Sequence, residues 1–115
     1  TGWHLVREPV DGLMAHAPSP ERQADIQAIL DEFAHREGSP VLFHGVRARV
    51  AGHVQHVAFH VLVPGTWTVT QGHDLLEEIE GRFHEKFGHI VVDTHLEPIE
   101  DPRSYDAPQW ESASP

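Results

Sequence analysis

The chain has no cysteine and a single methionine among its 115 residues. Without cysteine neither a disulfide framework nor a thiolate metal cage is available, and the redox compartment leaves no mark. Positive charge is also scarce: 8 Lys and Arg stand against 18 Asp and Glu, a formal charge of −10. That balance excludes the basic footprint of a nucleic-acid binder and disfavours an anionic membrane surface. It favours cations as partners. Long apolar runs are missing too. The longest lies near Val57–Val63 and is interrupted by His60, far short of the ~18 residues that a membrane span needs. There is no signal-peptide pattern and no initiator Met, as expected if Thr1 is the cut edge of a longer chain. At this length one domain is expected, able to bury about two-thirds of its unfolded surface without a disulfide or structural metal.

The residue in excess is histidine, 11 of 115. Protonating all of them would carry the formal charge from −10 to −10 + 11 = +1. The chain is therefore pH-responsive, and each neutral imidazole is a potential metal ligand.

Three segments are expected. Residues 1–18 form a short lead-in or linker ending at Pro18-Ser19-Pro20, residues 19–98 form the domain, and residues 99–115 form a flexible polar tail carrying Pro102, Pro108 and Pro115. Within the domain, Ser19 is an N-cap, Pro20 suits the first helical position, and Ile26, Ile29, Leu30 and Phe33 make one apolar stripe. Gly38 and Pro40 end that helix. Two strands, Val41–Ala51 and Val54–Val63, flank Gly52-His53, a pair suited to a two-residue hairpin turn. In that register Val50 faces Gln55, Ala48 faces Val57, Val46 faces Phe59 and His44 faces Val61, collecting one apolar face. Arg47, Arg49, His56 and His60 take the other. A three-residue loop would instead pair His44 directly with His60; the pattern favours the shorter loop. Thr70 is expected to cap a second helix with Leu75, Leu76, Ile79, Phe83 and Phe87 buried, ended by Gly88. A last strand, about His89–Glu97, stops at Pro98. The order is helix, strand, strand, helix, strand. The strand-helix-strand part is expected to give parallel strands, so the fold class is α+β, an open-faced sandwich with the helices on one face of a small mixed sheet.

Four histidines stand apart from the rest. His44 is near the start of the first strand, His60 lies inside an apolar run, and His73 falls in the first turn of the second helix. His95 is followed at i+2 by Glu97, on the same strand face. Imidazoles with a carboxylate suit Zn²⁺; Co, Ni, Mn and Fe stay open, and Cu(I) is disfavoured without thiolate. His53, His56, His84 and His89 are lesser candidates for accessory sites. Trp67 reads as packing, Arg47 and Arg49 as interface or surface pairs, and Trp3 with Arg7 as an interfacial anchor if a membrane helix is close by.

The run His44-Gly-Val-Arg47-Ala-Arg49-Val-Ala-Gly52 is followed by Val57-Ala-Phe-His60-Val-Leu-Val-Pro64-Gly65. Gly72-His73-Asp74 with Ile79-Glu80 comes next, and His95-Leu-Glu97-Pro98 closes the series. Together these resemble the C-terminal cytoplasmic domain of cation diffusion facilitator transporters, over about residues 10–98. The lead-in Val10-Asp11-Gly12-Leu13-Met14 resembles the linker after that family's last membrane helix. The resemblance implies a metallochaperone-like, ferredoxin-like fold and a V-shaped homodimer beneath the membrane. Metal near the dimer interface would bias the two arms toward closure. It implies metal ligands at His44, His60, His73 and His95, with Glu97 where some members carry Asp. The expected function is a cytoplasmic metal-sensing and dimerisation domain of a divalent-cation efflux transporter, with Zn²⁺ or a similar transition metal as ligand. Its partners would be a second copy and, where one exists, a covalently attached transmembrane domain. The alternative is a free-standing soluble dimer acting as a metal buffer or chaperone. No nucleophile–base pair, oxyanion turn or phosphate loop is present, so no enzyme is expected.

Overall fold

The computed structural model describes residues 15–36 and 38–105. The readings of Trp3, Arg7, the segment 10–14 and residues 106–115 lie outside the described residues.

The first helix, α1 (Pro20–Ala34), begins as its sequence requires. Ser19 is extended, and its Oγ accepts a hydrogen bond from the Arg22 N–H at 3.2 Å. Pro20 occupies the position whose N–H would have no helical partner. The stripe Ile26, Ile29, Leu30 and Phe33 is buried. The helix closes at His35, whose N–H donates to the Asp31 carbonyl at 2.9 Å, before Gly38 and Pro40 are reached.

The second helix, α2 (Val69–Phe87), starts earlier than its expected cap. Thr68, and not Thr70, caps it. Thr68 Oγ1 accepts from the Gln71 N–H at 3.1 Å while Gln71 Oε1 accepts from the Thr68 N–H at 2.8 Å. This reciprocal box needs Gln or Glu three residues after the cap. Thr68 has Gln71 there, whereas Thr70 has His73. The shift puts His73 in the second turn of α2 instead of the first. Leu75, Ile79 and Phe83 face inward as expected, and Gly88 ends the helix.

Strands β1 (Ala15–His16), β2 (Leu42–Ala51), β3 (Val54–Val63) and β4 (Ile90–Pro98) form one sheet in the order β1-β2-β3-β4. The first two pairings are antiparallel and β3–β4 is parallel, as the strand-helix-strand order demands. The two-residue β1, paired through Ala15↔Ala51 and His16↔Val50, is too short to leave a periodic signal and was not expected. Both helices cover the sheet face that presents Val57, Phe59, Val61 and Val63. Phe59 is the centre of this core: its ring stacks 5.7 Å from Phe83 and meets Phe43 edge-on at 5.7 Å.

The hairpin contains a register change. Near the Gly52-His53 turn the pairs are Val50↔Gln55, Arg49↔His56, Ala48↔Val57 and Arg47↔Ala58, as a two-residue loop requires. Farther along the pairing slips by one residue, to His44↔His60, Phe43↔Val61 and Leu42↔Leu62. The expected pairs Val46–Phe59 and His44–Val61 are therefore absent. Gly45, at φ +64°, and Val46 take up the extra residue as a β-bulge.

Past β4 the chain folds back through a 3₁₀ turn, Pro102–Tyr105. The segment read as a polar tail therefore opens with defined structure. The Arg103 side chain, and then its backbone N–H, hold the Asp101 carboxyl down to about 2. A carboxyl lowered in the folded state adds stability above its unfolded pKa near ~3.9, and that stability is lost as pH falls toward the folded value.

Thr68→Ala is expected to cost about 1 kcal/mol in urea unfolding through loss of the cap. Thr70→Ala, at an exposed position inside the first turn, is expected to stay within about 0.5 kcal/mol. Equal losses would show that the box does not hold α2.

Candidate metal centre

Alternation along each strand sends a second set of side chains to the face opposite the helices. On β2 these are His44, Arg47 and Arg49; on β3, His56, Ala58, His60 and Leu62; on β4, Val91, Asp93, His95 and Glu97. His44 is the antiparallel partner of His60, and His60 is the parallel partner of His95. Three imidazoles thus line up across three neighbouring strands. The His44 and His60 ring centroids are 4.7 Å apart, and those of His60 and His95 are 5.4 Å apart.

Glu97, two residues beyond His95, reaches into this row. Its Oε2 is 3.8 Å from His44 Nε2, and its Oε1 is 3.4 Å from His60 Nδ1 and 3.6 Å from His95 Nε2. One ligand atom each from His44, His60 and Glu97 falls within 4.8 Å of the other two. His60 and Glu97 side chains are only 13% and 17% exposed, while that of His95 is 68% exposed at the rim.

His44 Nε2, His60 Nδ1 and Glu97 Oε2 are buried without a hydrogen-bond partner. A buried polar atom left unpaired costs roughly 1–3 kcal/mol, so three in one cluster need an explanation. Two imidazole nitrogens and a carboxylate oxygen are the donor set of a Zn²⁺-type site. A divalent ion bound by these atoms would satisfy all three at once, so the residues present fit such a metal. Three such donors would leave coordination positions open, and His95 stands beside them.

His73 is not part of this group. It lies on α2, with its Nε2 3.8 Å from Glu77 Oε1, and both side chains are about two-thirds exposed. His84 has a structural role, its Nε2–H donating to the Ile90 carbonyl at 3.0 Å.

Two contributors were not singled out by the sequence. Gly45 permits the bulge, and a Cβ there would lie 3.0 Å from His60 Cδ2, so the missing side chain also leaves room for that ring. An isolated Gly inside a strand pattern is a signal for a bulge. Tyr105 stacks on His44 with centroids 6.0 Å apart and planes 25° apart; no local pattern announces that contact. On the same face, Arg47, Arg49, His56, Ala58 and Asp93 line a hollow of about 300 Å³.

Residues 18–99 match the family model of the cation efflux protein cytoplasmic domain. The uncharacterized transporter sll1263 of Synechocystis sp. is 46% identical over 108 residues, which are 94% of this chain and 34% of that protein. The chain thus spans about a third of the length of this curated relative. A solved structure of CzrB is similar at 29% identity and TM-score 0.63, over 71% of this chain and 98% of that one. The Zn form of CzrB gives 29% and 0.62, over 71% and 90%. The metal-bound C-terminal domain of the CzcD transporter from Thermotoga maritima shares the fold at 22% identity and TM-score 0.59, over 73% and 99%.

Gly45→Ala is expected to lower stability by about 1–2 kcal/mol, because a Cβ is disfavoured at positive φ. It is also expected to move the His60 imidazole resonances in ¹H–¹⁵N spectra. Unchanged His60 signals would mean that the ring does not depend on the bulge.

Proposed function

The chain belongs to the cation efflux protein family, as its cytoplasmic domain, and from that premise we propose that it senses a divalent Zn²⁺-like ion for a transporter. The convergence of His44, His60 and Glu97, each with a buried, unpartnered polar atom, carries the reading. His95, on the same face as Glu97, is the fourth ligand at the rim. His73, exposed on α2 beside Glu77, is a peripheral ligand position. That CzrB has been solved in a Zn form supports zinc as the first ion to test.

The matched family is one of dimerising transporter domains and not of enzymes. In the proposed mechanism two copies of this acidic chain pair, and their like charge holds them partly apart. The bound ion supplies positive charge and coordination bonds; the chain supplies ligands fixed on backbone that is already paired, so little ordering is needed on binding. A few kcal/mol of differential binding moves such a pair from mostly open to mostly closed. Among the described residues no helix is long and apolar enough to cross a membrane. Translocation is accordingly assigned to a membrane part of a longer protein, in line with a relative about three times this chain's length that is described as a transporter.

Zn²⁺ titration followed by calorimetry, small-angle scattering and thermal melting tests this. Saturable binding is expected to compact the dimer and raise its Tm. His44→Ala, His60→Ala and Glu97→Ala are each expected to weaken binding at least about tenfold, while His35→Ala, exposed at the end of α1, stays within about twofold. Equal losses across all four variants would mean a diffuse histidine surface. Scattering and Tm both unmoved at saturating Zn²⁺ would end the sensing reading.

Binding should also weaken as pH drops from about 7.5 to about 5.5, since imidazole must be neutral to coordinate and ordinarily titrates near ~6.5. Affinity constant across that range would remove histidine from the site.

A further inference from the structure

The family match stops at residue 99, yet the next six residues return to the metal cluster. Their return is firmly pinned. The Ile99 N–H donates to the Val63 carbonyl at 2.8 Å, and Glu100 accepts from the Gly65 N–H at 2.9 Å. Asp101 accepts from the Arg103 backbone N–H at 2.9 Å and from its guanidinium at 2.7 Å. Ser104, only 4% exposed, donates through Oγ to the Pro98 carbonyl at 2.6 Å. Tyr105 O–H donates to the Ile99 carbonyl at 2.8 Å, which fixes the far end of its ring.

The object of this arrangement is His44. Of the three ligands in the cluster its side chain is the least buried, at 34% exposed against 13% for His60 and 17% for Glu97. One ring neighbour, His60, comes from the sheet; the other is Tyr105, at 6.0 Å and near-parallel. Tyr105 is itself 55% exposed, so its ring contributes little to the core. The bonds of residues 99–105 therefore place a half-exposed aromatic ring beside His44.

We propose that Tyr105 is a positioning residue of the metal centre, holding the His44 imidazole in the orientation that keeps Nε2 toward Glu97. The inference rests on the metal-binding reading above. It makes residues 100–105, which follow the stretch matched by the family model, a determinant of metal affinity.

The test is Zn²⁺ calorimetry at pH about 7.5 on the wild-type protein, Tyr105→Ala, Tyr105→Phe, His44→Ala and the His44→Ala/Tyr105→Ala double variant, alongside imidazole ¹H–¹⁵N spectra of the metal-free proteins. Tyr105→Ala should weaken Zn²⁺ binding about two- to tenfold, the range spanned by one aromatic pair, and should move the His44 resonances. Its Tm without metal should change little. Tyr105→Phe, which keeps the ring but loses the hydroxyl bond to the Ile99 carbonyl, should fall between wild type and Tyr105→Ala. Removing Tyr105 in the His44→Ala background should cause no further loss. Unchanged affinity in Tyr105→Ala, unmoved His44 resonances, or the same loss with and without His44 would each overturn the inference while leaving the metal site standing. Wild-type protein that binds no Zn²⁺ would overturn the metal reading and this inference with it, a result distinguishable from the others.

Discussion

The bulge at Gly45 and Val46 sets the character of the sheet's open face. Side chains on a strand alternate, so one inserted residue exchanges the faces of everything beyond it. Counting back from Ala48, which packs on the core, an uninterrupted strand would turn His44 toward the helices and Phe43 toward the open face. With the bulge, Phe43 joins Phe59 in the core and His44 stands opposite His60. Both outcomes are favourable for the same physical reason: an aromatic ring is removed from water, and an imidazole is not forced into an apolar interior. Gly45 makes this possible because it adopts a positive φ without strain and has no side chain to meet the His60 ring.

The two faces of the sheet are thereby coupled through β3. Val57, Phe59, Val61 and Val63 anchor the strand under the helices, and His56, Ala58, His60 and Leu62 occupy the positions between them. The core thus fixes the height and direction of His60. The parallel pairing with β4 fixes His95 and Glu97 relative to it. A His/Glu cluster built this way is carried on hydrogen-bonded backbone.

Electrostatics sharpen the picture. The chain is strongly acidic, and Glu97, the most enclosed carboxylate on the open face among the described residues, sits among three imidazoles. The Asp101–Arg103 and Arg36–Glu78 pairs, by contrast, form ordinary short salt bridges. Arginine would have closed the Glu97 site with a permanent cation. Imidazoles leave polar atoms of this cluster buried without a hydrogen-bond partner.

Much of this was determined by the sequence alone, because the signals are local. The Ser19 cap, the stripe on α1, the Gly52-His53 turn, the Gly88 stop and the i+2 spacing of His95 and Glu97 each depend on residues a few positions apart. The Thr68 cap was equally legible: the residue three places on decides between Thr68 and Thr70. The tertiary structure alone decided which histidines meet. Binary pattern predicted an unbroken register, and it held near the turn, where neighbouring pairs constrain one another. It failed beyond Gly45, because a slip of one residue depends on the backbone taken up at Gly45 and Val46 and on how Phe43 packs against a distant Phe59. The separation of His73 from the cluster follows from α2 lying on the other face of the sheet. The stacking of Tyr105 on His44 requires the chain to run out from β2 through β3 and β4 and turn back, a contact between residues 61 positions apart that no periodicity can encode.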